Sequence, residues 1–159
     1  MKITKKRVAI VGSGLVGATT AFSLETQGVC DEIMMIDING ERALGEMLDL
    51  KDAIEYLGRN VKLTTGTYAD CTDMDISVIT AGAPPKPGQS RLDTLEIGAK
   101  ICKSIVEPIM ESGFNGIFIV ISNPVDILAH YVQKISGLPK NQVIGTGTAI
   151  DSARLKSLI

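Results

Sequence analysis

Residues 7–23 read RVAIVGSGLVGATTAFS, and this stretch decides the fold. Val8–Val11 is a short apolar run with the character of a buried strand. It leads into Gly12-Ser13-Gly14-Leu15-Val16-Gly17, and a helical pattern begins at Leu15. Each glycine of this turn has a physical reason. Gly12 permits a tight turn, Gly14 leaves the backbone bare where a pyrophosphate must approach, and Gly17 lets the helix pack close to the sheet. The helix N-terminus offers N–H groups and the positive end of its dipole to phosphates. A G-x-G-x-x-G pattern alone is weak evidence. Here a strand precedes it, a helix follows it, and an acid, Asp37, ends the next strand 20 residues after Gly17. A carboxylate at that place accepts hydrogen bonds from the adenosine ribose hydroxyls and repels a 2′-phosphate, so NAD is expected rather than NADP. The competing reading is a tight turn followed by a surface aspartate.

Outward from this turn, strands and helices alternate. Arg7–Val11 reads as a strand, Leu15–Gln27 as a helix, Ile33–Asp37 as a strand and Glu41–Tyr56 as a helix. Val61–Gly66 is a third strand, and Tyr68–Cys71 has room for a short helical turn. Ile76–Ala81 is a fourth strand, and Gly82–Ser90 a loop rich in proline and glycine. Arg91–Ser112 is a long helix, Gly116–Ser122 a strand, Pro124–Ile135 a helix and Gln142–Gly145 a sixth strand. A last helix begins near Ala149. The strands are nearly continuous apolar runs (VAIV, IMMI, ISVIT, IFIVI), as in parallel strands covered on both faces. Strands joined through helices imply right-handed crossovers. The expected architecture is α/β: a doubly wound, six-stranded parallel Rossmann sheet of order 3-2-1-4-5-6, with helices on both faces.

Composition narrows the function. The 159 residues are 45% hydrophobic and 21% charged, with a net charge of -2, which fits a globular domain and gives no nucleic-acid footprint. No segment has the length of a membrane span, and the N-terminus does not read as a signal peptide, so none is expected. Cys30, Cys71 and Cys102 are odd in number and widely spaced, without a C-x-x-C. That argues against a disulfide framework and against a metal site, and for reduced thiols in a cytoplasmic protein.

Three loops at the carboxyl ends of strands carry candidate chemistry. AGAPPKPGQSRLD, residues 81–93, leaves the fourth strand and has the composition of a lid. Arg91 near its end can polarise a carbonyl or clamp a carboxylate, or stand solvated in the first turn of a helix. Ser122-Asn123-Pro124-Val125-Asp126 follows the fifth strand. Pro124 suits the first helical turn. Asn123 can cap that helix, or present its amide to a nicotinamide and a reacting oxygen. After the sixth strand, Asp151 and Arg154 share a helix face. They form a surface ion pair, or else Arg154 grips a substrate carboxylate and Asp151 orients a general-base histidine.

Taken together, GSGLVG, the Asp37 strand end, TAGAPPKPGQSRLD, ISNPVDIL and IGTGTAIDSAR resemble the NAD-binding half of the L-lactate/malate dehydrogenase family. The likeness is strongest to its bacterial L-lactate and L-2-hydroxyisocaproate dehydrogenases. The resemblance implies that Gly12, Gly14, Val16 and Gly17 line the pyrophosphate and that Asp37 holds the ribose. It adds Arg42, Tyr68, Gly82, Ala83, Ser104 and Thr146 as cofactor contacts. Asn123 would touch nicotinamide and substrate, Arg91 would close over the substrate, Arg154 would bind its carboxylate, and Asp151 would pair with the catalytic histidine. No metal is implied. The substrate would be a small 2-oxo or 2-hydroxy acid, and the protein a homo-oligomer, dimer or tetramer.

The chain also departs from the family pattern. The family's histidine lies in a G-x-H-G segment that this chain does not contain. The single histidine, His130, reads as a structural residue. Without a base the chain is expected to bind cofactor and to turn over little or not at all. It ends inside a helical pattern, which reads as part of a longer protein: residues 1–145 as the NAD-binding domain and 146–159 as the start of a truncated substrate domain. Pro85 stands where lactate dehydrogenases commonly carry Gln and malate dehydrogenases Arg. This disfavours malate and admits a larger apolar 2-oxo acid. Gly98 stands where relatives often have Asn, which would alter a contact on the adenine side. The rival class is a non-catalytic NAD-binding module, either a sensor or an engineered domain.

Overall fold

The computed structural model describes residues 5–58, 60–83, 88 and 94–159. Six parallel strands form one sheet in the order β3-β2-β1-β4-β5-β6, as expected. They are β1 Arg7–Val11, β2 Glu32–Ile36, β3 Lys62–Thr65, β4 Ile76–Ile79, β5 Ile117–Val120 and β6 Val143–Gly145. The helices are α1 Leu15–Gln27, α2 Gly40–Ile54, α3 Leu95–Glu111, α4 Val125–Ser136 and α5 Ala149–Leu158. Short 3-10 turns cover Tyr68–Asp73 and Lys140–Gln142.

Because side chains alternate along a strand, each strand feeds two cores. Ala9 and Val11 join Met34, Ile36 and Ile79 under α3 and α4. Val8 and Ile10 join Ile33, Met35 and Val78 under α1 and α2. Cys30, Cys71 and Cys102 are free thiols buried in these layers. Burial pushes the Cys71 thiol up to about 12 and that of Cys102 to about 11. They are packing residues rather than nucleophiles.

Several element ends differ from the sequence reading. β4 stops at Ile79 rather than Ala81, because the Thr80 and Ala81 N–H groups both donate to the Val11 carbonyl, at 2.9 and 3.0 Å. The chain there turns across the end of β1, and the ladder to β5 cannot continue. Pro124 takes the cap position of α4 in extended conformation, φ -75° and ψ 113°, rather than the first turn. α2 starts one residue early, at Gly40, since the Asn39 side chain accepts from the Arg42 N–H at 3.1 Å. α3 begins at Leu95, and the expected start at Arg91 falls outside the described residues.

Helix α1 buries Gly17, Ala21 and Glu25, a stripe of period four that faces the sheet. Glu25 is completely buried, and neither carboxyl oxygen has a hydrogen-bond partner among the described residues. Burial raises its pKa. Among the described residues Cys30 shares this end of α1 with Glu25, and Asp31 and Lys6 act on the same thiol. The fold favours the protonated form, so this group's contribution is full below the ordinary carboxylate range and is lost as pH rises through the raised value. Glu25→Met removes both orphan oxygens while keeping an unbranched side chain. The variant is expected to melt higher than the native protein at pH 8 by roughly 3 °C or more, with a smaller difference at pH 4.5. Thermal melts at the two pH values check this; an equal or inverted difference contradicts the burial account.

Candidate functional site

All strand carboxyl ends lie along one edge of the sheet, and the order reverses between β1 and β4, where a crevice forms. The turn after β1 lies in this crevice. Gly12 has φ +104°, a conformation that favours glycine. Its N–H donates to the Ile36 carbonyl at 2.8 Å, which ties the turn to the end of β2. A Cβ on Gly12 would lie 2.6 Å from the Ala81 backbone nitrogen. A Cβ on Gly17 would lie 1.9 Å from the Gly12 carbonyl oxygen. Both glycines therefore serve close packing. Gly14 differs: a Cβ there would meet nothing within 4 Å. The space beside its backbone is open at the N-terminus of α1, where the first N–H groups of a helix lack intrahelical partners. That fits an anion held by the backbone.

Asp37 follows β2 and is half-buried. The Ser13 N–H donates to one carboxylate oxygen at 2.6 Å and the Asn39 N–H to the other at 2.9 Å. Each oxygen keeps a lone pair for a ligand hydroxyl. The Ser13 side chain is buried, and its hydroxyl has no partner among the described residues.

A cleft of about 320 Å³ runs beside this turn. Gly12, Gly14, Asp37 and Arg42 line one side, and Tyr68, Gly82 and Ser104 contribute from other elements. These seven expected cofactor positions thus share one cavity. Burial raises the Tyr68 phenol pKa, with smaller contributions from the Asp37 carboxylate and Cys71, so it remains a donor at neutral pH. Sequence reading missed Ile38, Thr80, Ile101 and Ile105, which also line the cleft. Ile101, Ser104 and Ile105 stand at i, i+3 and i+4 of α3, a face that periodicity could have exposed. A larger hollow of about 450 Å³, lined by Lys51 and Lys62, lies where β3 begins. It is at the wrong end of the strands for a crevice ligand.

Other expected residues lie elsewhere. Val16 is half-exposed on α1 beside Leu15 and Thr19, and Gly17 is buried, so neither lines the cleft. Ala83 is exposed just beyond Gly82. Asn123 is exposed after β5, joined to Pro124 by a cis peptide bond. No side chain caps α4, so the capping reading of Asn123 is corrected. The neighbouring Ser122 hydroxyl donates to the Ala81 carbonyl at 2.6 Å and ties the end of β5 to the loop after β4. Thr146 is half-buried after β6, with its N–H on the Val120 carbonyl at 3.1 Å. Asp151 and Arg154 are exposed on α5 and form an ion pair at 3.3 Å. Arg91 and Pro85 lie outside the described residues. The adenine-side expectation for Gly98 is also corrected. A Cβ there would meet Leu128 at 3.3 Å and the Asn123 carbonyl at 3.8 Å, so this glycine faces α4. Among the described residues there is no cluster that could hold a metal ion, and no helix is long and apolar enough to cross a membrane.

The family described as lactate/malate dehydrogenase, NAD binding domain, matches residues 6–145. L-lactate dehydrogenase 3 of Bacillus cereus is 55% identical over 159 residues, 100% of this chain and 50% of the relative. L-lactate dehydrogenase of Lactococcus lactis subsp. cremoris is 48% identical over 156 residues, 98% of this chain and 50% of the relative. The ligand-bound minor L-lactate dehydrogenase of Enterococcus mundtii superposes with a TM-score of 0.89 at 47% identity, covering 92% of this chain and 47% of that one. The lactate dehydrogenase of Cryptosporidium parvum, complexed with lactic acid and nicotinamide adenine dinucleotide, gives 0.84 at 31% identity, covering 91% of this chain and 46% of that one. The chain spans about half the length of the curated relatives it matches.

The three glycines should separate in experiment. Gly17→Ala forces a methyl into the Gly12 carbonyl and is expected to lower the melting temperature by about 5 °C or more. Gly14→Ala has free space, so its melting temperature should stay within about 2 °C of the native value while NADH affinity falls about tenfold or more. Melting curves and NADH titrations of the two variants check this; a Gly14→Ala protein with native affinity would rule out the cradle.

Proposed function

The chain belongs to the lactate/malate dehydrogenase family, as its NAD-binding domain, and from this premise we propose that the protein moves a hydride between NAD(H) and a small L-2-hydroxy acid, L-lactate foremost. The observation that carries this reading is the meeting, along one sheet edge, of the open backbone at Gly14 and the doubly anchored carboxylate of Asp37, with Asn123 beyond β5.

When bound, NAD supplies the nicotinamide that accepts or gives the hydride. The residues here supply grip and orientation. Backbone N–H groups at the start of α1 hold the pyrophosphate, and Asp37 accepts from the ribose hydroxyls. Tyr68, Ile101 and Ile105 wall the same cleft with apolar surface. Asn123 orients the substrate oxygen, Arg91 polarises its carbonyl, and Arg154 takes its carboxylate in a bidentate grip. The Arg154–Asp151 pair is exposed and therefore worth only about 0–1 kcal/mol, so exchanging Asp151 for a substrate carboxylate costs little. Pro85 offers no charge for a second carboxylate, which argues against malate and leaves apolar 2-oxo acids open. Residues 146–159 begin the substrate-binding part. We place the general base outside these 159 residues, because His130 is exposed on α4, a helix not among the cleft's lining elements. Leu44, Leu48 and Phe22 are each nearly half exposed, which suits burial in a homo-oligomer.

Two measurements test the reading. Asp37→Ser is expected to weaken NADH binding about tenfold while weakening NADPH binding less; equal losses would sink the ribose assignment. The 159-residue chain should bind NADH yet fail to oxidise it with pyruvate, and turnover near about 10 per second, ordinary for an enzyme, would overturn the placement of the base.

A further inference from the structure

We propose that Thr80 is a positioning residue for the cofactor pyrophosphate, acting through the glycine turn; the inference rests on the NAD reading above. Thr80 follows β4 and is half-buried. Its hydroxyl lies 2.8 Å from the Gly12 carbonyl oxygen and 3.1 Å from that of Val11. One hydroxyl proton serves one strong bond, and the shorter contact identifies Gly12 as its main acceptor.

The consequence comes from peptide planarity. The Gly12 carbonyl and the Ser13 N–H belong to one planar trans peptide and point in opposite directions. Thr80 holds the carbonyl end, and Asp37 accepts from the N–H end at 2.6 Å. The peptide is therefore clamped at both ends, and the direction of the next N–H groups, at the open face of Gly14, is set before any ligand arrives. A Cβ on Gly12 or Gly17 would lie 2.9 Å from the Thr80 hydroxyl oxygen, so the hydroxyl occupies the space those two glycines leave bare. Removing it frees one end of the clamp, and the cradle must then be ordered when the ligand binds, at a loss of affinity.

The loss should fall on ligands that carry the pyrophosphate. Thr80→Val keeps the shape and removes the hydroxyl; Thr80→Ala does so with a smaller side chain and stands in if Val does not fold. Binding of NADH, ADP and adenosine is measured by calorimetry, alongside melting without ligand. The expected result is about a tenfold loss for NADH and for ADP, no more than about a twofold change for adenosine, and recovery to within about threefold in Thr80→Ser. The proposal is overturned if the hydroxyl-free variants bind NADH like the native protein, if adenosine weakens as much as ADP, or if Thr80→Ser fails to rescue. A native protein that binds no NADH overturns the cofactor reading, and this inference with it; native binding with an indifferent Thr80→Val overturns this inference alone.

Discussion

The contact between Gly17 and the Gly12 carbonyl is the constraint on which the ligand end of the sheet depends. No side chain fits between them. That closeness sets the first turn of α1 against the end of β1, beside the point where strand order reverses. With the helix start fixed there, Ala21 faces the sheet one turn further on, and the α1 side of the core follows. The same contact gives the chain a bare corner at Gly14, and Asp37 and Thr80 close on it from β2 and β4.

The fold was legible because its signals are local and redundant. Apolar runs marked the strands, and the glycine spacing marked the first crossover. Element ends were less legible, for physical reasons. β4 loses its last expected residues because Thr80 and Ala81 share the Val11 carbonyl, a bond between segments about seventy residues apart in sequence. Residue type points Glu25 outward, since a charged residue on a helix ordinarily faces water. Only its spacing from Gly17 and Ala21 hinted otherwise.

The candidate site was legible in part. Gly12, Gly14, Asp37 and Arg42 lie within one short stretch of chain and were found together, and the cleft joins them to Tyr68, Gly82 and Ser104. Thr80, Ile101 and Ile105 were missed because their contribution depends on how β4 and α3 pack, which no local pattern states. For Asn123 the sequence allows either cap or contact, and the extended Pro124 at the cap position removes the first option. Asp151 and Arg154 form the surface pair that spacing allowed, and their ligand role rests on the family rather than on their place in this structure.

Among the described residues the two cores share strands but no residues. Cys30 lies in the layer under α1 and α2, whereas Cys71 and Cys102 lie in the layer under α3 and α4. Each thiol is shielded and, with its pKa raised by burial, carries little thiolate. A thiol reagent in solution therefore has to wait for a layer to open before it can react. The three sulfurs work as internal clocks, one on one side of the sheet and two on the other, that report which layer breathes first and how often.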